Sequence, residues 1–143
     1  MVEYITLSLQ SLVPSWNFVA IDALGRSWGL SIGYNPRSIR VDASWGGSGF
    51  MGIDIFSVEL SKNLWIVNVY GPYHQREQFC QHFLNLSILA SNHIIIVGDL
   101  NFSLGFSESW GSSAHVDAII GYMTKLLDLT NFVDVPMHKP LPT

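Results

Sequence analysis

The run Ile94-Ile95-Ile96-Val97-Gly98-Asp99-Leu100-Asn101 decides how this chain is read. Four β-branched residues in succession predict a strand covered on both faces, the pattern of a sheet with layers packed against each side. Gly98 then allows a sharp bend or a close approach to a neighbouring backbone. Asp99 and Asn101 emerge just beyond the carboxyl end of that strand, where open α/β sheets place their ligands. An Asx residue at such a point also closes turns and caps helices by bonding nearby backbone groups. On these residues alone, a turn and an active site carry equal weight.

Upstream of this run, Phe79, Phe83, Leu86 and Ala90 recur at helical spacing, with Cys80, Leu84 and Leu89 beside them. They predict an amphipathic helix over residues 73–91 that leads directly into the strand. Before it, residues 51–60 and 64–70 form two apolar runs joined by Ser61-Lys62-Asn63, a hairpin signature. Residues 17–23 read as a strand, as do the glycine-flanked run at 26–33 and the period-two run at 39–42. Trp45-Gly46-Gly47-Ser48-Gly49 reads as a flexible turn, and residues 11–15 around Pro14 as a loop or the end of a short helix.

Downstream, Val116, Ile119, Ile120, Met123, Leu126 and Leu127 make a second helical stripe, with Ser112 or Ser113 as its N-cap. Both stripes read as core. Phe132-Val133-Asp134-Val135 reads as a short strand. Several antiparallel strands, then helix, strand, loop and helix, fit a layered α/β sandwich better than an alternating parallel sheet. The expected fold is two mostly antiparallel sheets packed face to face with helices outside, in a single domain over residues 1–143.

Composition bounds the function classes. The chain has an ordinary 48% of hydrophobic residues, but only 13% are charged, against about a quarter in typical domains. A surface this sparsely charged either meets a partner or belongs to a larger domain whose remainder covers apolar faces. Seven Lys and Arg stand against eleven Asp and Glu, a net charge of −4, and the basic residues are scattered singly. Tight electrostatic binding to nucleic acid is not expected, so any such contact would be weak and local. Cys80 is the sole cysteine, which excludes an internal disulfide and a cysteine metal cluster and suits a small buried hydrophobe.

The chain opens Met1-Val2-Glu3, with an acid where a secretory signal needs basic residues. Its uncharged stretches at 4–21 and 79–98 are interrupted by polar residues such as Gln10, Gln81, Asn85 and Asn92, which argues against a membrane span. An intracellular protein without membrane partners is expected, with nucleus and cytoplasm both open.

Tyr70 at the end of one strand, and Asp99 with Asn101 at the end of another, are expected to converge at one rim of the sheets. Such a set suits phosphate-ester hydrolysis. A hard divalent cation takes oxygen ligands and keeps several waters, so one or two carboxylates suffice to hold it. The cation polarises the phosphoryl oxygen, an aspartate orients water, and an amide or phenol donor steadies the charged oxygens.

The segment Asn68-Val69-Tyr70-Gly71-Pro72-Tyr73, the helix after it, Gly98-Asp99-Leu100-Asn101, and Glu108 to Gly111 resemble the endonuclease/exonuclease/phosphatase superfamily. The likeness is greatest to the endonuclease domain of plant LINE-type retrotransposons. Those domains also carry a glycine-rich strand pair resembling residues 25–33 and a closing Leu-x-Asp resembling residues 127–129. The resemblance covers nearly all of the chain. It implies a DNase I-like four-layer sandwich and metal-dependent hydrolysis of nucleic-acid phosphodiester bonds with Mg or Mn. It further implies that Asp99 orients or deprotonates the attacking water, that Asn101 contacts the phosphate, and that Tyr70 lies near the scissile phosphate.

The departures are as informative. The family's N-terminal asparagine, and the Gln-Glu pair whose glutamate holds the metal, have no match here, and Glu3 lacks a preceding hydrophobic strand to aim it. The family's aromatic Thr-Trp segment, its further aspartate and its terminal Ser-Asp-His are also unmatched. The expectation is an incomplete domain, truncated at both ends and catalytically inactive, with no metal ligand set of its own. His74, His82, His93, His115 and His138 have no metal-ligand spacing and read as surface residues. Glu108 and Asp117 read as capping or solvated groups, and Trp28, Trp45, Trp65 and Trp110 as packing more readily than as base-stacking platforms.

Two other readings stand beside this one. A non-catalytic remnant or interaction module would expose apolar sheet edges and self-associate through them. A calcineurin-like phosphoesterase also uses Gly-Asp after a strand, but needs a downstream Gly-Asn-His that is not present.

Overall fold

The computed structural model describes residues 2–22, 29–91, 93–101, 119–130, 132, 133 and 135. The chain divides into two compact units, Met1–Tyr70 with Ser91–Asp99, and Gly71–Ala90 with Leu100–Thr143.

The first unit opens with helix α1 (Val2–Leu12). It stops where Pro14, which has no N–H to donate, enters the next turn; Val13 and Trp16 close that turn by donating to the carbonyls of Leu9 and Val13 at 3.1 and 3.0 Å. Strands β1 (Asn17–Ile21) and β2 (Leu30–Tyr34) form an antiparallel pair from Asn17 opposite Tyr34 to Ile21 opposite Leu30. A second sheet runs in the order β3 (Ile39–Gly47), β4 (Phe50–Ser57), β5 (Lys62–Tyr70), β6 (Ile94–Asp99). Its first three strands are antiparallel, whereas β5 and β6 are parallel. Two mostly antiparallel sheets in an α/β chain are therefore present.

Two turns differ from expectation. The five residues 45–49 do not form a loop: Trp45, Gly46 and Gly47 continue β3 opposite Gly52, Met51 and Phe50, leaving Ser48 and Gly49 as a two-residue connection. Cross-strand packing explains it. A Cβ on Gly52 would sit 2.5 Å from the Trp45 ring, so the indole lies against the partner strand's backbone and holds the ladder together. The second hairpin turns at residues 58–61, and Lys62 and Asn63 already pair in β5.

Alternation along β4 puts Met51, Ile53 and Ile55 on one face, where they form a buried cluster with Leu64 of β5. Against this cluster pack Val19 and Ile21 of β1, Leu30 and Ile32 of β2, and Ile39, Val41 and Ile66. The small sheet thus covers one face of the large one, and Asn68 Nδ2 of β5 donates to the Ser31 carbonyl of β2 at 3.2 Å.

The expectation that β6 is covered on both faces is corrected. It is an edge strand among the described residues, with Ile95 49% and Val97 46% exposed while Ile94 and Ile96 are half-buried. Among the described residues the small sheet has two strands, and no residue of β6 is among those packed against the Met51, Ile53, Ile55 and Leu64 cluster.

In the second unit, helix α2 (Arg76–Leu84) is followed by a 3-10 turn, Ser87–Ala90, in place of one continuous helix over 73–91. Gln75 is left-handed at φ 55°, which delays the start. Asn85 ends the helix, its N–H donating to His82 O at 3.2 Å and its Nδ2 to Gln81 O at 2.9 Å, so the amide serves the backbone that a further turn would have used. Cys80, Phe83, Leu89 and Ile119 are buried, and helix α3 spans Ile120–Thr130. Phe132, Val133 and Val135 lie outside any strand, with both valines 84% exposed. The expected N-caps Ser112 and Ser113, together with Glu108, Trp110, Gly111, Val116, Asp117, Trp28 and His138, lie outside the described residues.

Candidate functional site

Asp99 is the last residue of β6 and is exposed. Its register partner is Tyr70, the half-buried last residue of β5. Partners in a parallel ladder point to the same face, so the carboxylate and the phenol stand side by side at the carboxyl ends of adjacent strands. Tyr70 is anchored from below, its N–H donating to the Gly49 carbonyl in the β3–β4 turn at 2.7 Å. The expectation that these strand ends meet at one rim holds for this pair.

Gly98 makes the pairing possible. Its φ is +126°, and a Cβ there would lie 1.9 Å from the Val69 carbonyl oxygen. Any other residue would push β6 off β5 just before Asp99.

Asn101 belongs to the second unit. It too has a positive φ, 53°, a conformation that asparagine tolerates better than most residues. Its Nδ2 donates to the Gly71 carbonyl, and its own carbonyl accepts from Arg76 Nη2 at 2.7 Å. The two chain segments approach closely here, because a Cβ on Gly71 would meet the Leu100 carbonyl oxygen at 2.0 Å. Asn101 therefore braces the loop after β6 against the loop before α2. Arg76 was not singled out from sequence. As one of several isolated cations it carries no signal, and its association with Asn101 depends on a contact between residues 25 apart.

Among the described residues, no group of three or more His, Cys, Asp and Glu could hold a metal. His74, His82 and His93 are exposed, and His115 lies outside the described residues. A divalent cation wants several oxygens converging on one point, and Asp99 is the one acid among the last residues of β5 and β6. Asp99 alone would leave most of the coordination sphere of Mg or Mn to water and a bound phosphate. Trp45 packs edge-on against Phe50 at 5.6 Å and lies 6.4 Å from Trp65, which makes these rings part of a packed cluster.

Perturbed groups lie elsewhere among the described residues. In the first unit the Arg40 guanidinium, 2.7 Å from Asp42, holds that carboxyl below the usual carboxylate range. In the second, Tyr122 of α3 donates to Glu77 of α2, which pushes its phenol above the usual tyrosine value. No described helix is long and apolar enough to cross a membrane. Neither the models of known protein families nor the curated proteins give a match to this chain.

Proposed function

We infer that these residues form part of a phosphodiester-hydrolysing domain of the endonuclease/exonuclease/phosphatase type, DNase I-like in fold, acting on nucleic acid. In this reading Asp99 orients the attacking water, while Tyr70 donates to the phosphate oxygens. The observation that supports it is the register pairing of Tyr70 with Asp99, which sets a phenol donor beside a carboxylate at the carboxyl ends of two parallel strands. A second support is Gly98, whose conformation allows that pairing.

The same reading makes the 143 residues catalytically insufficient. They contain no match to the family's metal-holding glutamate or its Ser-Asp-His. Removing members of a catalytic unit commonly costs several orders of magnitude. A supercoiled-plasmid nicking assay with Mg or Mn tests this, and the expected result is no nicking above a protein-free control. Robust metal-dependent nicking that disappears in Asp99→Ala would overturn the claim of insufficiency. A second arm addresses the family reading. A folded chimera that supplies the glutamate strand upstream and the Ser-Asp-His strand downstream gains nicking that depends on Asp99; a folded chimera with no activity sinks the reading.

A non-catalytic interaction module is the alternative that one observation favours, the exposed apolar pair Ile95 and Val97 on β6.

A further inference from the structure

The two edges of the four-stranded sheet are built differently. At β3, a register shift between Val41 and Ala43 breaks the regular ladder, and the exposed, ion-paired Arg40 and Asp42 flank the irregularity. Bulges and charges of this kind are what keep sheet edges from pairing with other chains. At β6, the sequence Ile94-Ile95-Ile96-Val97 has no charge, no proline and no register shift, and it presents Ile95 and Val97 to solvent.

We propose that the edge of β6, unpaired among the described residues, pairs antiparallel with β6 of a second copy of this chain, about a two-fold axis perpendicular to the sheet that passes between the two Ile96 residues. The register follows from the sequence. Opposed residues in an antiparallel ladder share a face, and a perpendicular two-fold preserves faces, so the axis must lie midway between the two copies of one residue. Centred on Ile96, each Ile95 lies opposite the second copy's Val97, and both exposed pairs cover one another. The same register sets His93, exposed just before the strand, opposite the second copy's Asp99. Centred on Val97, the ladder would set Ile95 against Asp99, and centred on Ile95 it would set Val97 against His93. Only the Ile96 axis joins apolar to apolar and imidazole to carboxylate.

Both copies keep their β1–β2 sheets on the same side of the resulting eight-stranded sheet, four strands coming from each. The strip left bare beside Ile66 is then shared between the two small sheets. The pairing also draws Asp99 into the interface, which offers a use for this strand end independent of hydrolysis.

Sedimentation velocity of the purified chain across the micromolar range tests the proposal. The wild type is expected to show a concentration-dependent monomer–dimer equilibrium. Val97→Lys is expected to weaken it by at least about tenfold, because each lysine faces an apolar Ile95 in the partner. Val58→Lys, a control at an exposed valine in the β4–β5 turn, is expected to leave it unchanged. Ile95→Glu added to Val97→Lys restores association, since each glutamate then lies across from a lysine. Near-ultraviolet circular dichroism verifies folding, and where Val97→Lys does not fold, the near-isosteric Val97→Thr weakens the dimer in its place. A wild type that stays monomeric overturns the proposal and leaves the edge to a strand from another protein. So does a dimer indifferent to both Val97 variants, and a folded double variant that stays monomeric overturns the Ile96 register.

Discussion

At Gly98 the backbone passes so close to β5 that a Cβ would overlap the Val69 carbonyl oxygen at 1.9 Å, at a φ of +126° that side chains rarely adopt. Gly98→Ala must therefore twist the end of β6 or separate it from β5. Backbone strain and overpacking together should cost about 3 kcal/mol, lowering the urea midpoint by about 2 M at ordinary denaturant sensitivity. An alanine variant with an unchanged midpoint would show that the approach is not as tight as described. Much of this local structure was legible in the sequence, because a glycine between a β-branched run and an acid has few other uses. The role of Asn101 was half legible. Its capacity to close a turn is read from its residue type, but its bonds to Gly71 and Arg76 require that residues 71–76 return to Asn101, which periodicity does not reveal.

Hydrophobic periodicity located the elements, while side-chain bonds to backbone set their ends. The spacing of Phe79, Phe83, Leu86 and Ala90 is the same whether the helix continues or stops, so the stripe cannot show that Asn85 bonds backward to Gln81 and His82. Neither can it show what joins α2 to α3. There Tyr122 donates its hydroxyl to Glu77 and accepts from Gln81 Nε2 at 3.3 Å. The bond to Glu77 is the leading cause of the raised phenol pKa, with the Gln81 donor opposing it. A group that holds its proton more tightly when folded stabilises the fold fully below its unfolded pKa, about 10 for tyrosine. That contribution is lost as pH rises through the higher folded value. Glu77→Gln should move the phenol back toward the ordinary range. The check is the ultraviolet tyrosinate titration of each protein minus that of its Tyr122→Phe counterpart, and coincident difference curves with and without Glu77 would remove this link between the helices.

For the chain as a whole, the order of elements from β1 to α3 was legible, and so was a sheet packed on a sheet; helix α1, which was not expected, and Phe132, Val133 and Val135, which lie in no strand, were not. The parallel pairing of β6 with β5, and the division into two units, were not. A run of four β-branched residues looks the same in a central strand and at an edge, because its composition reports strand preference and not the number of strands in the sheet above it. The consequence is a core built from the Met51, Ile53, Ile55 and Leu64 cluster on one face of the sheet and Val67 and Val69 on the other, while Ile95 and Val97 contribute little. Truncating a member of that cluster should therefore cost far more than truncating β6. Ile53, at 0% exposure in the middle of β4, has no solvent-facing side through which a cavity could collapse. Ile53→Ala should cost about 3–4 kcal/mol, a large share of the roughly 5–15 kcal/mol that holds a domain together, and lower the melting temperature by about 10 °C. Ile95→Ala, read on monomer at low concentration, should stay within about 1 kcal/mol of the parent. Equal losses at the two positions in thermal melts would mean that β6 is as deeply covered as β4, and that the sheet above it is wider than two strands.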